Sequence, residues 1–260
     1  MASMDKISLA SSKHPKPEGA VFQYGTSGFR MNAQLLDPVV FRIGLLASLR
    51  SRLYNGEAVG IMITASHNPP EDNGIKLVDP MGEMLETAWE EHGTTLANAT
   101  DDAALVEAYE FIAKKMQINL KNPAKAIFAR DTRVSGPALV KTLLESLEAC
   151  DVQFQDFGMA TTPQLHYLTR AINTEGKPDS FGEPTVEGYY KKMSKAFVTL
   201  IEYKKPNGPL IVDCANGIGG PKLKELLKYI PTAAEGGVDI KVVNDDTVNP
   251  EKLNYQVCPV

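Results

Sequence analysis

Apolar residues recur along the chain in two rhythms. Val39, Ile43, Leu46 and Leu49 repeat at helical spacing, which predicts a helix to about Leu53 with Asp37 as N-cap and Pro38 at the first helical position. Residues 58–65 (AVGIMITA) form a short apolar run bounded by turn residues, as a buried strand would. A second strand is predicted at 75–78, followed by a turn at Pro80-Met81-Gly82 and helices near 86–98 and 103–117. A strand at 125–129, a helix at 137–149, a strand at 152–157 and a helix at 163–172 continue the alternation. Strands alternating with helices imply a largely parallel sheet covered on both faces.

Residues 173–184 (NTEGKPDSFGEP) read as a linker. Beyond them Val186, Tyr189, Tyr190, Met193, Phe197, Leu200 and Ile201 form one apolar helix face, expected to pack in a core or between domains. A strand at 210–212, a helix at 221–229 and a strand at 240–243 then make a βαβ unit, and two strands are few for an independent sheet. The expected fold class is α/β. A loose lead-in over 1–20 precedes a three-layer α/β/α domain with a mixed, mostly parallel sheet over 21–180. An incomplete second α/β domain follows over 181–260.

The 260 residues suffice for a sizeable core, and 43% hydrophobic with 23% charged residues is ordinary for a globular protein. A net charge of −5 argues against nucleic acid as a partner but leaves room for a local cationic pocket. Cys150, Cys214 and Cys258 are too widely spaced to suggest a disulfide framework or a zinc site, so reduced, mostly buried thiols are expected. No apolar run is long enough to span a membrane, and 1–19 has no signal-like apolar stretch, so a cytoplasmic protein is expected.

The chemistry collects after the strand at 58–65. Thr64-Ala65-Ser66-His67-Asn68-Pro69-Pro70 runs directly into Asp72-Asn73-Gly74-Ile75-Lys76, placing a hydroxyl near an imidazole, an amide and a lysine on a sharply turned backbone. A serine attacks or carries phosphorus only when a neighbour takes its proton and cations neutralise the incoming oxygens. His67 and Lys76 are the candidates nearby, and Arg30, closing a Gly-rich loop, is a candidate fork for phosphate oxygens. A polar surface turn is the plain alternative. A serine hydrolase is another, although the G-x-S-x-G elbow is missing. Gly217, Gly219 and Gly220 are spaced G-x-G-G, which suits a tight turn better than a dinucleotide site. Arg130-Asp131-Thr132-Arg133 reads either as an ion pair within a loop or as a cluster facing a ligand. His14, His92 and His166 lack metal-ligand spacing and are expected at the surface or hydrogen-bonded.

The serine loop, with 24–30, 71–80, 161–167, 187–190 and 213–219, resembles the α-D-phosphohexomutase superfamily, and within it the phosphoacetylglucosamine mutase family, a fungal member above all. That resemblance implies interconversion of N-acetylglucosamine 6-phosphate and 1-phosphate, in UDP-N-acetylglucosamine biosynthesis, through a phosphoserine at Ser66. It implies proton transfer or charge stabilisation by His67 and Lys76, and phosphate or substrate contacts from Arg30 and Asn68. Mg²⁺ would be the cofactor, bound at Ser66 through its phosphate, and a small phosphosugar the partner. The family's Asp-Gly-Asp-Ala-Asp-Arg metal loop and its sugar- and phosphate-binding domains have no counterpart in these 260 residues. The expectation is therefore a truncated chain of low activity, with a non-catalytic isoform acting as a binding module as the alternative.

Overall fold

The structure, a computed structural model, describes residues 4–25, 27–201 and 208–255. The chain forms α1 (Met4–Ser11), β1 (Phe29–Asn32), α2 (Asp37–Leu53), β2 (Ala58–Ile63), β3 (Asp72–Val78), α3 (Thr87–Ala97) and α4 (Asp102–Lys115). It continues through β4 (Lys125–Arg130), α5 (Gly136–Ala149), β5 (Gln153–Met159), α6 (Thr162–Thr174), α7 (Val186–Ile201), β6 (Leu210–Asp213), α8 (Gly219–Leu226) and β7 (Ile240–Val243).

Five strands form one sheet in the order β1-β3-β2-β4-β5. The β2–β4 and β4–β5 pairs are parallel, while β3 runs against both neighbours, so four of the five strands share a direction. Side-chain alternation splits the core in two. Val59, Ile61, Ile63, Ile75, Leu77, Ala126 and Phe128 face α2 and α5, whereas Ala58, Met62, Val78, Ile127 and Ala129 face α6. This is the expected three-layer α/β/α arrangement, with a mixed, mostly parallel sheet. Beyond it β6 and β7 pair in parallel as a separate two-stranded sheet. Glu225 of α8 accepts a 2.6 Å hydrogen bond from the Tyr190 hydroxyl, which itself accepts one from Gln164 of α6, linking the two sheets' helices.

Several local expectations are corrected. Within the described part of the expected lead-in, residues 4–20, the chain is not loose, because α1 buries Ile7 against α4 and α5 and its Ser11 hydroxyl donates to Asp102. Asp37 is not an N-cap: Leu36 holds that position without a side-chain bond, and the Asp37 carboxylate instead meets His14 and Thr142. The loop at 24–30 continues into β1, a strand that four residues of uneven polarity did not announce. Asn173 is not linker but the buried end of α6, its amide bonding both Ala58 main-chain groups and the Pro80 carbonyl. Of the α7 stripe, Tyr190 is buried and Val186, Tyr189, Met193, Phe197 and Ile201 are half-buried, whereas Leu200 is 78% exposed. Cys150 is buried, which pushes its thiol up to about 11, and Cys214 is half-buried; Cys258 lies outside the described residues.

Candidate active site

Parallel strands β2 and β4 end on the same edge of the sheet, where ligand sites of open α/β folds form. At that edge Asp131 accepts a 2.6 Å hydrogen bond from the Thr64 hydroxyl, tying the two strand ends together. The chain after Thr64 turns at once. Ser66 takes a left-handed conformation (φ 53°), and its amide donates to Thr64 Oγ1 at 3.2 Å. Asn68 donates its side-chain amide to Asp72, and the Asp72 N–H returns to the Pro69 carbonyl at 3.1 Å.

Arg133 occupies the inside of this turn. Its guanidinium is fully buried and uses every N–H: Nη1 donates to the carbonyls of Pro69 and Asp72, Nη2 to those of Ser66 and Asn68, and Nε to Asp131. From the turn beyond β7, Asn254 Nδ2 donates to the Ser66 and Asn68 carbonyls, each at 2.8 Å.

The turn lifts Ser66 and His67 into solvent at one side of a cleft of about 540 Å³. Lys76 and Asp131 line its floor, Thr162 and Pro163 at the start of α6 one wall, and Cys214 to Gly219 of the β6–α8 loop the other. Burial pushes the Lys76 ammonium below its ordinary value, and repulsion from Arg30 adds to the shift. A nearby anion would reverse both effects, so this lysine is suited to meet phosphate or pass a proton. Arg30 reaches the area because it pairs with Gly74, where a Cβ would lie 2.7 Å from the Arg30 Cγ.

Ser66, His67 and Lys76 therefore share one cleft, and Arg30 stands behind Lys76 without lining it. Asn68 does not line it either: its side-chain amide donates to Asp72 and shapes the loop. Arg130-Asp131-Thr132-Arg133 resolves into the ion pair of Asp131 with Arg133, while Asp131 and Thr132 also face the cleft. The Gly217–Gly220 loop is a tight strand-to-helix turn that lines the cleft, a role its spacing did not reveal. His14 and His166 are hydrogen-bonded, as expected.

For magnesium the fit is incomplete. Among the described residues no group of three His, Cys, Asp or Glu side chains is placed to hold a metal ion. Asp131, the carboxylate lining the cleft, already serves Thr64 and Arg133. An octahedral oxygen cage is not assembled by these residues.

The family described as phosphoglucomutase/phosphomannomutase, alpha/beta/alpha domain I, matches residues 46–104 and 93–177, together just over half of the chain. The chain belongs to this phosphohexomutase family. Among curated relatives, the phosphoacetylglucosamine mutases of Candida albicans and Homo sapiens are each 45% identical, over 93% and 96% of this chain. A solved N-acetylphosphoglucosamine mutase of Aspergillus fumigatus, a serine-to-alanine variant in complex with glucose 1,6-bisphosphate, superposes with a TM-score of 0.93 at 51% identity over 98% of this chain. The same fungal enzyme in complex with GlcNAc-6P and magnesium gives 0.90. The chain spans about half the length of these phosphohexomutases, 46% and 45% of the two curated relatives and 46% of each solved chain. Among the described residues no helix is long and apolar enough to cross a membrane.

Proposed function

We propose that this chain carries the phosphoserine half of a phosphosugar mutase that interconverts N-acetylglucosamine 6-phosphate and 1-phosphate. The observation that carries the reading is an exposed Ser66, held left-handed at the mouth of a cleft, with a half-buried lysine of lowered pKa on the cleft floor. In each half-reaction the P–O bond to one oxygen breaks as the bond to the other forms. When Ser66 gives its phosphoryl group to a sugar hydroxyl, that hydroxyl loses its proton and Oγ regains one. When a bisphosphorylated sugar returns a phosphoryl group from its other position, the exchange runs in reverse. Lys76 is suited to neutralise the transferring oxygens, and His67, beside the serine, to share the proton movement. Arg30 adds positive potential behind Lys76.

A magnesium ion supplies charge neutralisation on transferring phosphoryl oxygens. Here its protein contact would be the phosphate on Ser66, with further oxygen ligands needed from outside the described residues. We assign 21–180 as the serine-bearing domain and 181–260 as part of a second. Because phosphoryl transfer depends on positioning, these 260 residues alone are expected to turn over sugar slowly. The phosphosugar partner and a magnesium requirement are supported by the similar fungal enzyme's complexes. No observation favours the reading as a binding module alone over this one.

Incubating the purified chain with glucose 1,6-bisphosphate and Mg²⁺ should add one phosphoryl group by intact mass, mapped to Ser66. Ser66→Ala should remove the addition and leave the melting temperature near wild type, since an exposed hydroxyl contributes little to the core. Phosphate mapped to a different residue would sink the assignment.

A further inference from the structure

We propose that Arg133 and Asn254 are positioning residues that clamp the Ser66 peptide from two sides and thereby make phosphorylation of Ser66 depend on docking of the second sheet. The proposal rests on the phosphoryl-carrying role of Ser66, but the clamp itself is visible in the hydrogen bonding alone.

The serine loop folds so that four main-chain carbonyls, those of Ser66, Asn68, Pro69 and Asp72, point at one centre. Four converging oxygens repel one another unless donors sit between them. One guanidinium answers all four. Its planar fork matches two carbonyls on each terminal nitrogen, while Nε stays on Asp131 and cancels the charge. Lysine offers three donors from a single nitrogen and cannot span that set. Asp131 also accepts from the Thr64 hydroxyl and from the Arg133 amide, so the fork is anchored at the ends of both β2 and β4.

Each carbonyl has two acceptor sites. On Ser66 and Asn68 the first is filled by Arg133 from within the domain and the second by Asn254 from across the cleft. Asn254 is itself held left-handed (φ 58°), and its N–H donates to Ala215 at 2.9 Å, in the loop that forms the opposite wall of the cleft. A continuous chain of hydrogen bonds thus runs from the far wall through Asn254 to Ser66 and on to Arg133, Asp131 and Thr64. Turning the Ser66 peptide to swing Oγ out of the cleft would break the bonds from Arg133 and Asn254 together. Movement of the second sheet away from the first would release one side of the clamp and leave Arg133 as the remaining restraint.

The test compares the wild-type chain with Asn254→Ala and Arg133→Lys. It reads hydrogen exchange of the 65–72 amides, the rate of Ser66 phosphorylation by saturating glucose 1,6-bisphosphate, and the melting temperature. For Asn254→Ala, losing two hydrogen bonds should speed loop exchange about tenfold and slow phosphorylation by about the same factor. Exchange in β2 and β4 and the melting temperature should hold, which a merely structural role would not predict. Arg133→Lys should have a larger effect on both rates. Wild-type exchange of the loop in Asn254→Ala would overturn the clamp. Faster exchange with an unchanged phosphorylation rate would overturn the positioning role. If the wild-type chain takes up no phosphoryl group, the carrier reading fails by that result alone, and the exchange rates decide on the clamp.

Discussion

Gly74 shows how little space the site leaves. A Cβ at this position would lie 2.5 Å from the Phe29 carbonyl oxygen and 2.7 Å from that of Thr64, and backbone atoms cannot yield as a flexible side chain can. Gly74→Ala should therefore cost about 1–3 kcal/mol of unfolding free energy, measured in urea, because β1 must move away from β3. An unchanged midpoint would show that the strands separate freely. The strand predicted at 75–78 starts three residues earlier, so Asn73 and Gly74 lie inside β3, the glycine serving close strand approach. Ser66, His67 and Lys76 were legible because their chemistry is local and their order in the chain is itself a signal. Arg133 was legible only as a partner for Asp131. Its main bonds go to carbonyls 61–67 residues earlier, and a backbone oxygen leaves no mark in a sequence. Asn254 is hidden for the same reason, 186 and 188 residues from the groups it holds.

At the scale of elements, α1 and the turn after it are fastened by a charge cluster. His14 stacks on Phe41 at 4.9 Å and places Nδ1 2.8 Å from Asp37 and Nε2 3.3 Å from Glu145. Both ring nitrogens face carboxylates, so the doubly protonated ring fits best. Burial works against the charged form, but the bonds to Asp37 and Glu145 outweigh it and raise the His14 pKa above 6.5. Lys13 near Glu145, and Arg42, which donates to the His14 carbonyl, complete the charged surroundings. A raised folded pKa gives stability that is fully present below 6.5 and is lost as pH climbs through the folded value. Asp37 acts oppositely. Burial raises its pKa, but the bonds from His14 and Thr142 outweigh that and hold it below the ordinary carboxylate value, so its contribution is lost as pH falls through the lowered value. Denaturant titrations should show wild-type stability declining above pH 6.5, with His14→Ala flat over that window. An equal decline in both proteins would remove His14 as the cause. The main helices and strands were readable from periodicity. This helix was not, since eight residues beside Pro15 and Pro17 carry too little pattern, and its partners lie far along the chain on α4 and α5.

At the scale of the whole molecule, the two sheets differ in how well they are covered. The five-stranded sheet is packed on both faces at its central strands β2 and β4, although its edge strand β5 is largely exposed. On the second sheet Leu210 and Ile211 are 52% and 64% exposed, and on α7 nearby in the chain Val198 and Leu200 are open as well. Apolar surface of this kind promotes association. Sedimentation velocity of the 260-residue chain should show concentration-dependent self-association, which Leu200→Lys combined with Ile211→Lys should suppress. A wild-type chain that stays monomeric at high concentration would contradict this. The βαβ outline of the second sheet was legible in its strand and turn residues. How its loops meet the serine was not, because that depends on docking between segments far apart in the chain.

The left-handed twist of the main chain at residue 66 also restricts which amino acid can do this job. Threonine offers the same alcohol and accepts phosphate equally well in chemical terms, but its branched β-carbon is a poor match for a positive φ. The backbone thus favours the unbranched alcohol before any reaction begins, so the proposed nucleophile is matched to its position by shape as much as by reactivity.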